Sequence, residues 1–201
     1  MTKKEREEDK RTRIMQAAAK VLAEQGYHRT KIRDIAQEAG VADGTIYLYF
    51  DNKEHLLIQL FEQVMERVLS MFRNSVVAEV DAAGKLHQFI VRHLTLIQED
   101  VNLARIITVV LRQSSSFLQD YKNDLFAEYL GLLYSILKEG KETGVFRPDL
   151  DVQVMTRATF GALDELALAW LLSSRKETSL EESAQTLSDV LLAGLKPEAQ
   201  S

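Results

Sequence analysis

Residues 39–50 read Ala39-Gly40-Val41-Ala42-Asp43-Gly44-Thr45-Ile46-Tyr47-Leu48-Tyr49-Phe50. Ala39-Gly40-Val41 forms a tight turn, because Gly40 tolerates a backbone angle that side chains disfavour. A short helix is expected on each side of it. The first starts at about Thr30, whose hydroxyl can cap it, with Asp34 in the first turn near the positive end of the dipole. Ile32, Ile35 and Ala36 point inward from it. The second runs from about Asp43 to Phe50. Upstream, Ile14, Ala17, Ala18, Val21 and Leu22 recur at helical spacing and predict a helix from about Asp9 to Gln25, ended by Gly26. Downstream, Asp51 or Asn52 caps a long helix to about Val77, with Leu57, Leu60, Phe61, Val64 and Val68 as its stripe. Two short helices around a glycine turn, with a supporting helix before them, make a helix-turn-helix.

The rest of the chain reads as helix too. Leu86, Phe89, Ile90, Leu94 and Ile97 mark one helix, and Leu103, Ile106, Ile107, Val110 and Leu111 another. Leu125, Tyr129, Leu132, Leu133 and Ile136 mark a third, ending near Gly144. Asp151 opens a helix to about Ser173. Ser179-Leu180-Glu181-Glu182 fits a capping box for the last, stopped by Gly194 and Pro197. No run alternates with a two-residue period for long. Two prolines and nine glycines in 201 residues also favour helices over a turn-rich β fold. The expected fold is all-α, with about nine helices: an N-terminal three-helix helix-turn-helix domain over residues 1–55 and a C-terminal helical domain over 56–201.

Composition narrows the function. The chain has no cysteine, which removes disulfide scaffolds, thiolate zinc sites and cysteine nucleophiles. His87 and His93 lack the spacing of a shared metal site. No nucleophile elbow, glycine-rich phosphate loop or HExxH pair occurs, and Ser114, Ser115 and Ser116 read as a helix end. The chain is expected not to be an enzyme and to need no cofactor. The charged start is not a secretory signal. The strongly apolar stretch from Ala158 to Leu172 is too short to span a bilayer and is interrupted by Asp164 and Glu165, so the protein is expected to be soluble and cytoplasmic. Net charge is −5, but to His55 there are eleven Lys and Arg against ten Asp and Glu. A DNA reader needs local basic groups, not a basic whole.

The small residues Asp43-Gly44-Thr45 let a helix start come close to a surface, and Tyr47, Leu48 and Tyr49 follow. A helix fits the major groove, with its first residues at base edges. By spacing alone, a purely structural three-helix cap with packing tyrosines fits as well. Residues 39–50, followed by Asn52-Lys53-Glu54 and preceded by Gly26-Tyr27, Thr30 and Ile35-Ala36, closely resemble the signature of the TetR family of bacterial transcription regulators. The resemblance implies that Gly44 and Thr45 meet bases and backbone, that Tyr47 and Tyr49 contact bases and phosphates, and that Lys53 binds phosphate. It also implies that Thr30 is a capping residue that reaches phosphate. Three positions depart from the pattern. Ala42 stands where serine is frequent, Asp43 where a basic residue is frequent, and Leu48 where histidine is common. Asp43 either accepts from a cytosine amino group or caps its helix, and Leu48 meets either a thymine methyl or sugar. Arg11 and Arg13 either reach DNA or belong to a solvated charge run with Glu5, Glu7, Glu8 and Asp9.

Residues 158–172 are apolar nearly all round and must be covered on every side. With Leu180, Ala184, Leu187 and Leu191 of the last helix they offer a seam for a second copy. Leu163, Trp170, Leu180, Leu187 and Leu191 are the expected dimer contacts, and Gly161, Ala162 and Ala169 permit close approach. The alternative is a buried core helix in a monomer. The middle helices supply an apolar cavity or simply core through Phe89, Leu94, Ile107, Leu111, Phe126, Leu133 and Phe160, and His93 lies on such a stripe as a core histidine or a ligand. Arg105, Thr108 and Arg112 share the opposite face of their helix, either holding phosphates or forming a salt-bridged surface.

The segment from Val41 to Phe50, the string Leu111-Arg112-Gln113-Ser114 and the pattern Phe160-Gly161-x-x-Asp164-Glu165…Trp170 are similar to the FadR-type branch of the TetR family. That resemblance implies a repressor of fatty acid degradation genes that leaves a palindromic operator when long-chain acyl-CoA binds. Arg105 and Arg112 would meet the coenzyme phosphates, and Phe89, Ile107, Leu111, Leu133 and Phe160 the acyl chain. Arg157, Asp164 and Glu165 fit the ligand site or the dimer interface. A regulator of efflux or another pathway with a different apolar ligand is the alternative, and a helical protein-binding adaptor the rival outside DNA binding. No membrane partner is expected.

Overall fold

A computed structural model describes residues 3–76, 79–110, 124–174 and 179–197. Nine α-helices are present among the described residues: α1 (Lys3–Gln25), α2 (Ile32–Ala39), α3 (Asp43–Ile46), α4 (Lys53–Val76), α5 (Ala82–Glu99), α6 (Val101–Arg105), α7 (Asp124–Glu142), α8 (Val152–Leu172) and α9 (Leu180–Leu195). A π-helical segment, Ile106–Val110, follows α6. The described residues contain no strand, so the chain is all-α as its patterning indicates.

The chain forms two compact units. Residues through 64 and 101–110 belong to the first, and 65–76, 79–100, 124–174 and 179–197 to the second. The boundary therefore falls inside α4, at Val64–Met65, beyond the expected division after residue 55. In the first unit α1 packs on α2, α2 on α3, and α1 also on α6 and the π-helical segment. Its core holds Ile14, Ala18, Leu22, Ile35, Ala36, Ile46, Phe50, Leu56 and Leu57, all at or near zero exposure. In the second unit α5 packs against α7, α8 and α9, and α8 touches both α7 and α9. Every apolar residue read from the stripe of α5 is buried there.

Several ends differ from expectation. Helix α1 starts six residues before Asp9, because Lys, Arg and Glu are good helix formers and Asp9 pairs with Arg13 at 3.6 Å, one turn on. A polar run of this kind carries no apolar stripe. The second helix of the helix-turn-helix, expected to run to about Phe50, is α-helical only to Ile46, and residues 47–49 continue as turn. Thr108 is buried, not on a solvent face beside Arg105. The π-helical backbone there has a wider repeat than the 3.6-residue period behind that expectation. Leu111, Arg112, Gln113 and Ser114, with Ser115 and Ser116, lie outside the described residues.

Candidate nucleic-acid interface

The turn between α2 and α3 is built as the sequence requires. Gly40 has φ +65° in the left-handed region, and its N–H donates to the Gln37 carbonyl at 3.2 Å. At the other end of α2 the Asp34 carboxylate accepts from the Lys31 N–H at 3.0 Å. Thr30 is not the cap. It is 2% exposed, and its hydroxyl donates inward to the Gly26 carbonyl at 2.8 Å. A buried hydroxyl with its proton already committed serves the interior, which corrects the phosphate-reaching role implied for it.

Helix α3 presents a free surface. Ala42 is the cap residue and offers no side-chain bond, so Asp43 follows the cap and does not replace it. Asp43 and Gly44 are exposed, Thr45 and Tyr49 half-buried, Tyr47 56% and Leu48 80% exposed. Ile46 and Phe50 point into the core and fix the orientation of the segment. A leucine this exposed costs apolar hydration, and no burial within the chain offsets it. The outer face thus runs through Asp43, Gly44, Tyr47 and Leu48 with Thr45 and Tyr49 at its edges, a small-residue start followed by apolar and aromatic tips.

Lys53 behaves differently from the implied phosphate ligand. Its ammonium donates to the carbonyls of Tyr27 at 2.6 Å and Thr30 at 3.0 Å and sits 4.1 Å from the Tyr27 ring centroid. Partial burial lowers its pKa. Lys53 therefore ties the first turn of α4 to the loop that carries α2. Asn52 caps the same helix, accepting from the His55 N–H at 2.8 Å. Arg11 also turns inward, donating to Gln59 at 2.8 Å with its guanidinium 5.6 Å from the Phe50 ring centroid. Arg13 pairs with Asp9. Spacing carried no sign of the Lys53 and Arg11 tethers, whose acceptors are two backbone carbonyls and one side-chain amide.

In the second unit an aromatic cluster lies between helices. Phe72 stands 4.7 Å from Phe89 and 5.3 Å from Tyr129, and Phe126 stands 5.1 Å from Phe160, as centroid distances. His93 joins it through Nδ1, 2.5 Å from the Tyr129 hydroxyl. Burial lowers the His93 pKa to about 4 and raises that of Tyr129 well above its usual value. Among the residues expected to line a ligand, Phe89 and Leu133 are sealed core, whereas Phe160 keeps accessible surface. Arg105 and Ile107 are half-buried in the first unit. Of the expected dimer contacts, Leu163 and Leu180 are buried against the chain's own helices and cannot face a partner. Trp170, Leu187 and Leu191 are half-buried. The outer face of α8 is instead Val154, Ala158, Gly161, Glu165, Ala169 and Leu172.

Two family patterns cover the chain. Residues 14–60 match the bacterial regulatory proteins of the tetR family, and residues 61–194 match the C-terminal region of YsiA-like proteins. A fatty acid metabolism regulator protein of Bacillus subtilis (strain 168) is 37% identical over 182 residues, 90% of this chain and 93% of that protein. The crystal structure of the regulator FadR from Bacillus subtilis in complex with stearoyl-CoA superposes with a TM-score of 0.85 at 36% identity, covering 92% of this chain and 98% of the other. FadR from Bacillus halodurans, a fatty acid degradation regulator, gives a TM-score of 0.83 at 38% identity, covering 92% and 99%. These relatives are regulators, not enzymes. By the pattern in its recognition segment, its helical architecture and its similarity along nearly its whole length, the chain belongs to the TetR family of bacterial regulatory proteins.

Proposed function

We propose that this chain represses fatty acid degradation genes by binding a palindromic operator as a homodimer, and that a long-chain acyl-CoA releases it. The similarity to a regulator that binds stearoyl-CoA carries this reading. The reading face is Asp43, Gly44, Thr45, Tyr47, Leu48 and Tyr49 of α3 and its following turn, with Lys53 holding the loop behind it. The homodimer places two such faces on successive major grooves. Its seam uses the outward residues of α8, with Trp170, Leu187 and Leu191 at the margin. The acyl chain takes the open edge of the aromatic cluster, at Phe160. The coenzyme phosphates take guanidinium groups, for which Arg105 and Arg112 are the candidates.

Release follows from differential binding. A ligand shifts an equilibrium only by the difference of its affinities for the two states. Helix α4 is one continuous helix, Lys53–Val76, and a ligand-favoured arrangement in which it swings changes the separation of the two reading helices, so that both no longer fit successive major grooves. The test is a gel shift on DNA taken upstream of acyl-CoA-metabolising genes. The protein is expected to retard that duplex and to release it as stearoyl-CoA is titrated. Retardation unchanged by saturating stearoyl-CoA would remove the effector from this reading.

A further inference from the structure

Asp43 carries a carboxylate that the chain itself does not use. A capping role is excluded, because Ala42 is the cap residue of α3 and Asp43 stands one position inside it. Its side chain is exposed and has no hydrogen bond or ion pair among the described residues. The surrounding segment, residues 42–52, contains no Lys, Arg or His. The other carboxylate of that segment, Asp51, lies beside His55, with Oδ2 3.2 Å from Nδ1. Asp43 shares the outer face of α3 with Gly44, where an added Cβ meets nothing within 4 Å. The buried side chains of Ile46 and Phe50 hold that face outward.

An unpaired carboxylate on a DNA-reading surface opposes binding unless it meets a donor. Affinity for duplex comes largely from cations at phosphates, and a carboxylate acts there with the opposite sign. On the major-groove side the donors are the N4 amino group of cytosine and the N6 amino group of adenine. The adenine amino group lies between two acceptors, its own N7 and O4 of the paired thymine. The cytosine amino group has one acceptor beside it, O6 of the paired guanine, and a C–H on its other side. A carboxylate carries acceptors alone. Cytosine is therefore the base that Asp43 fits, and an A·T pair at the same position repels it.

We propose that Asp43 is a specificity-determining residue that accepts a hydrogen bond from the N4 amino group of one cytosine in each operator half-site. This rests on the operator-binding reading above and adds the base that the first residue of α3 selects. Selection from a random duplex pool with the full chain defines the half-site. Each of its cytosines, on both strands, is then replaced singly by N4-methylcytosine. That base still pairs with guanine but presents a methyl group in the major groove in place of the donor proton. One replacement is expected to weaken native binding about tenfold. Asp43→Ala is expected to bind the unmodified duplex about tenfold more weakly than the native chain and to be indifferent to that same replacement. Native binding unchanged by every single replacement overturns the assignment and leaves the operator reading standing, whatever the folding of the variant. An Asp43→Ala chain as sensitive to the replacement as the native one assigns the cytosine to another residue and overturns it too. So does an Asp43→Ala chain that binds all duplexes more tightly, the behaviour of a carboxylate that only repels phosphate. If no duplex is selected, the operator reading falls together with the assignment.

Discussion

Gly44 is a glycine that the chain's own packing does not require. An added Cβ meets nothing within 4 Å, and the backbone there is not left-handed. Alanine is the better helix former by about 0.8–1 kcal/mol, so Gly44→Ala is expected to keep or raise the melting temperature. It is also expected to weaken operator binding at least tenfold, because the methyl group occupies the space a DNA backbone needs; a melt and a gel shift on one preparation check both. The small start of α3 was legible in the residue types Asp43-Gly44-Thr45, and Tyr47 and Leu48 read as groups with no need to be buried, whereas the turn that ends the helix at Ile46 and leaves Leu48 exposed was not. The inward turn of Lys53 was not, because a lysine bound to carbonyls and one bound to phosphate look alike in sequence. His93 gives a second prediction. Its pKa is about 4 in the folded chain, against the 6.5 of an unperturbed histidine. Between those values the unfolded chain binds a proton that the folded chain refuses, so stability falls as pH drops from 6.5 toward 4 and is unaffected by this group above that window. The loss at pH 4 is about 3 kcal/mol. Urea midpoints of the native protein and His93→Gln, taken at pH 7 and pH 4, are expected to converge by that amount or cross, with the carboxylates common to both cancelling.

Helix ends were legible wherever a short polar side chain makes the cap. Asp151 accepts from the Val154 N–H at 3.0 Å, and Ser179 and Glu182 form both bonds of a capping box, at 3.0 and 3.2 Å. The same rule applied to Asp81 finds the start of α5, where its carboxylate accepts from the Gly84 N–H at 2.8 Å. What the rule misses is structure set by tertiary packing. Gly140 reads as an ordinary helical residue near the end of α7. In the fold Phe146 bends back onto it after the left-handed Gly144, and the Phe146 N–H donates to the Gly140 carbonyl at 2.8 Å. A Cβ on Gly140 would overlap the ring of Phe146, which is 2% exposed and has no room to retreat. Gly140→Ala is therefore expected to destabilise the chain by about 2–3 kcal/mol despite its better helix propensity. The melting temperature is expected to fall by roughly 5–10 °C. Gly131→Ala on the same helix, where an added Cβ meets nothing, is the matched control and is expected to leave it unchanged or higher.

At the scale of the whole molecule, the apolar character of α8 on all sides was legible, but its division between inside and outside was not. Leucine spacing alone cannot say which of two apolar faces packs on α5 and α7, and Leu163 was assigned outward when it lies within. The outward face carries its own pattern. Val154 and Leu172 are 61% and 67% exposed, and Gly161 faces open space midway between Arg157 and Glu165, four residues to either side. Arg157 and Glu165 are both exposed and have no partner among the described residues. A two-fold interface is isologous, so that if residue i meets residue j of the copy, j meets i. An antiparallel crossing of α8 with its copy at Gly161 brings Arg157 to Glu165 of the copy twice over, and the absent side chain at the centre lets the backbones approach. Under the proposed pairing, Arg157→Glu places like charges opposite each other at both symmetric contacts. It is expected to weaken the dimer about tenfold or more at low salt, as read by sedimentation equilibrium. Glu165→Arg alone is expected to do the same. The double variant exchanges the signs while keeping the reciprocity and is expected to recover most of the native dimer affinity, whereas two independent surface charges would give losses that simply add.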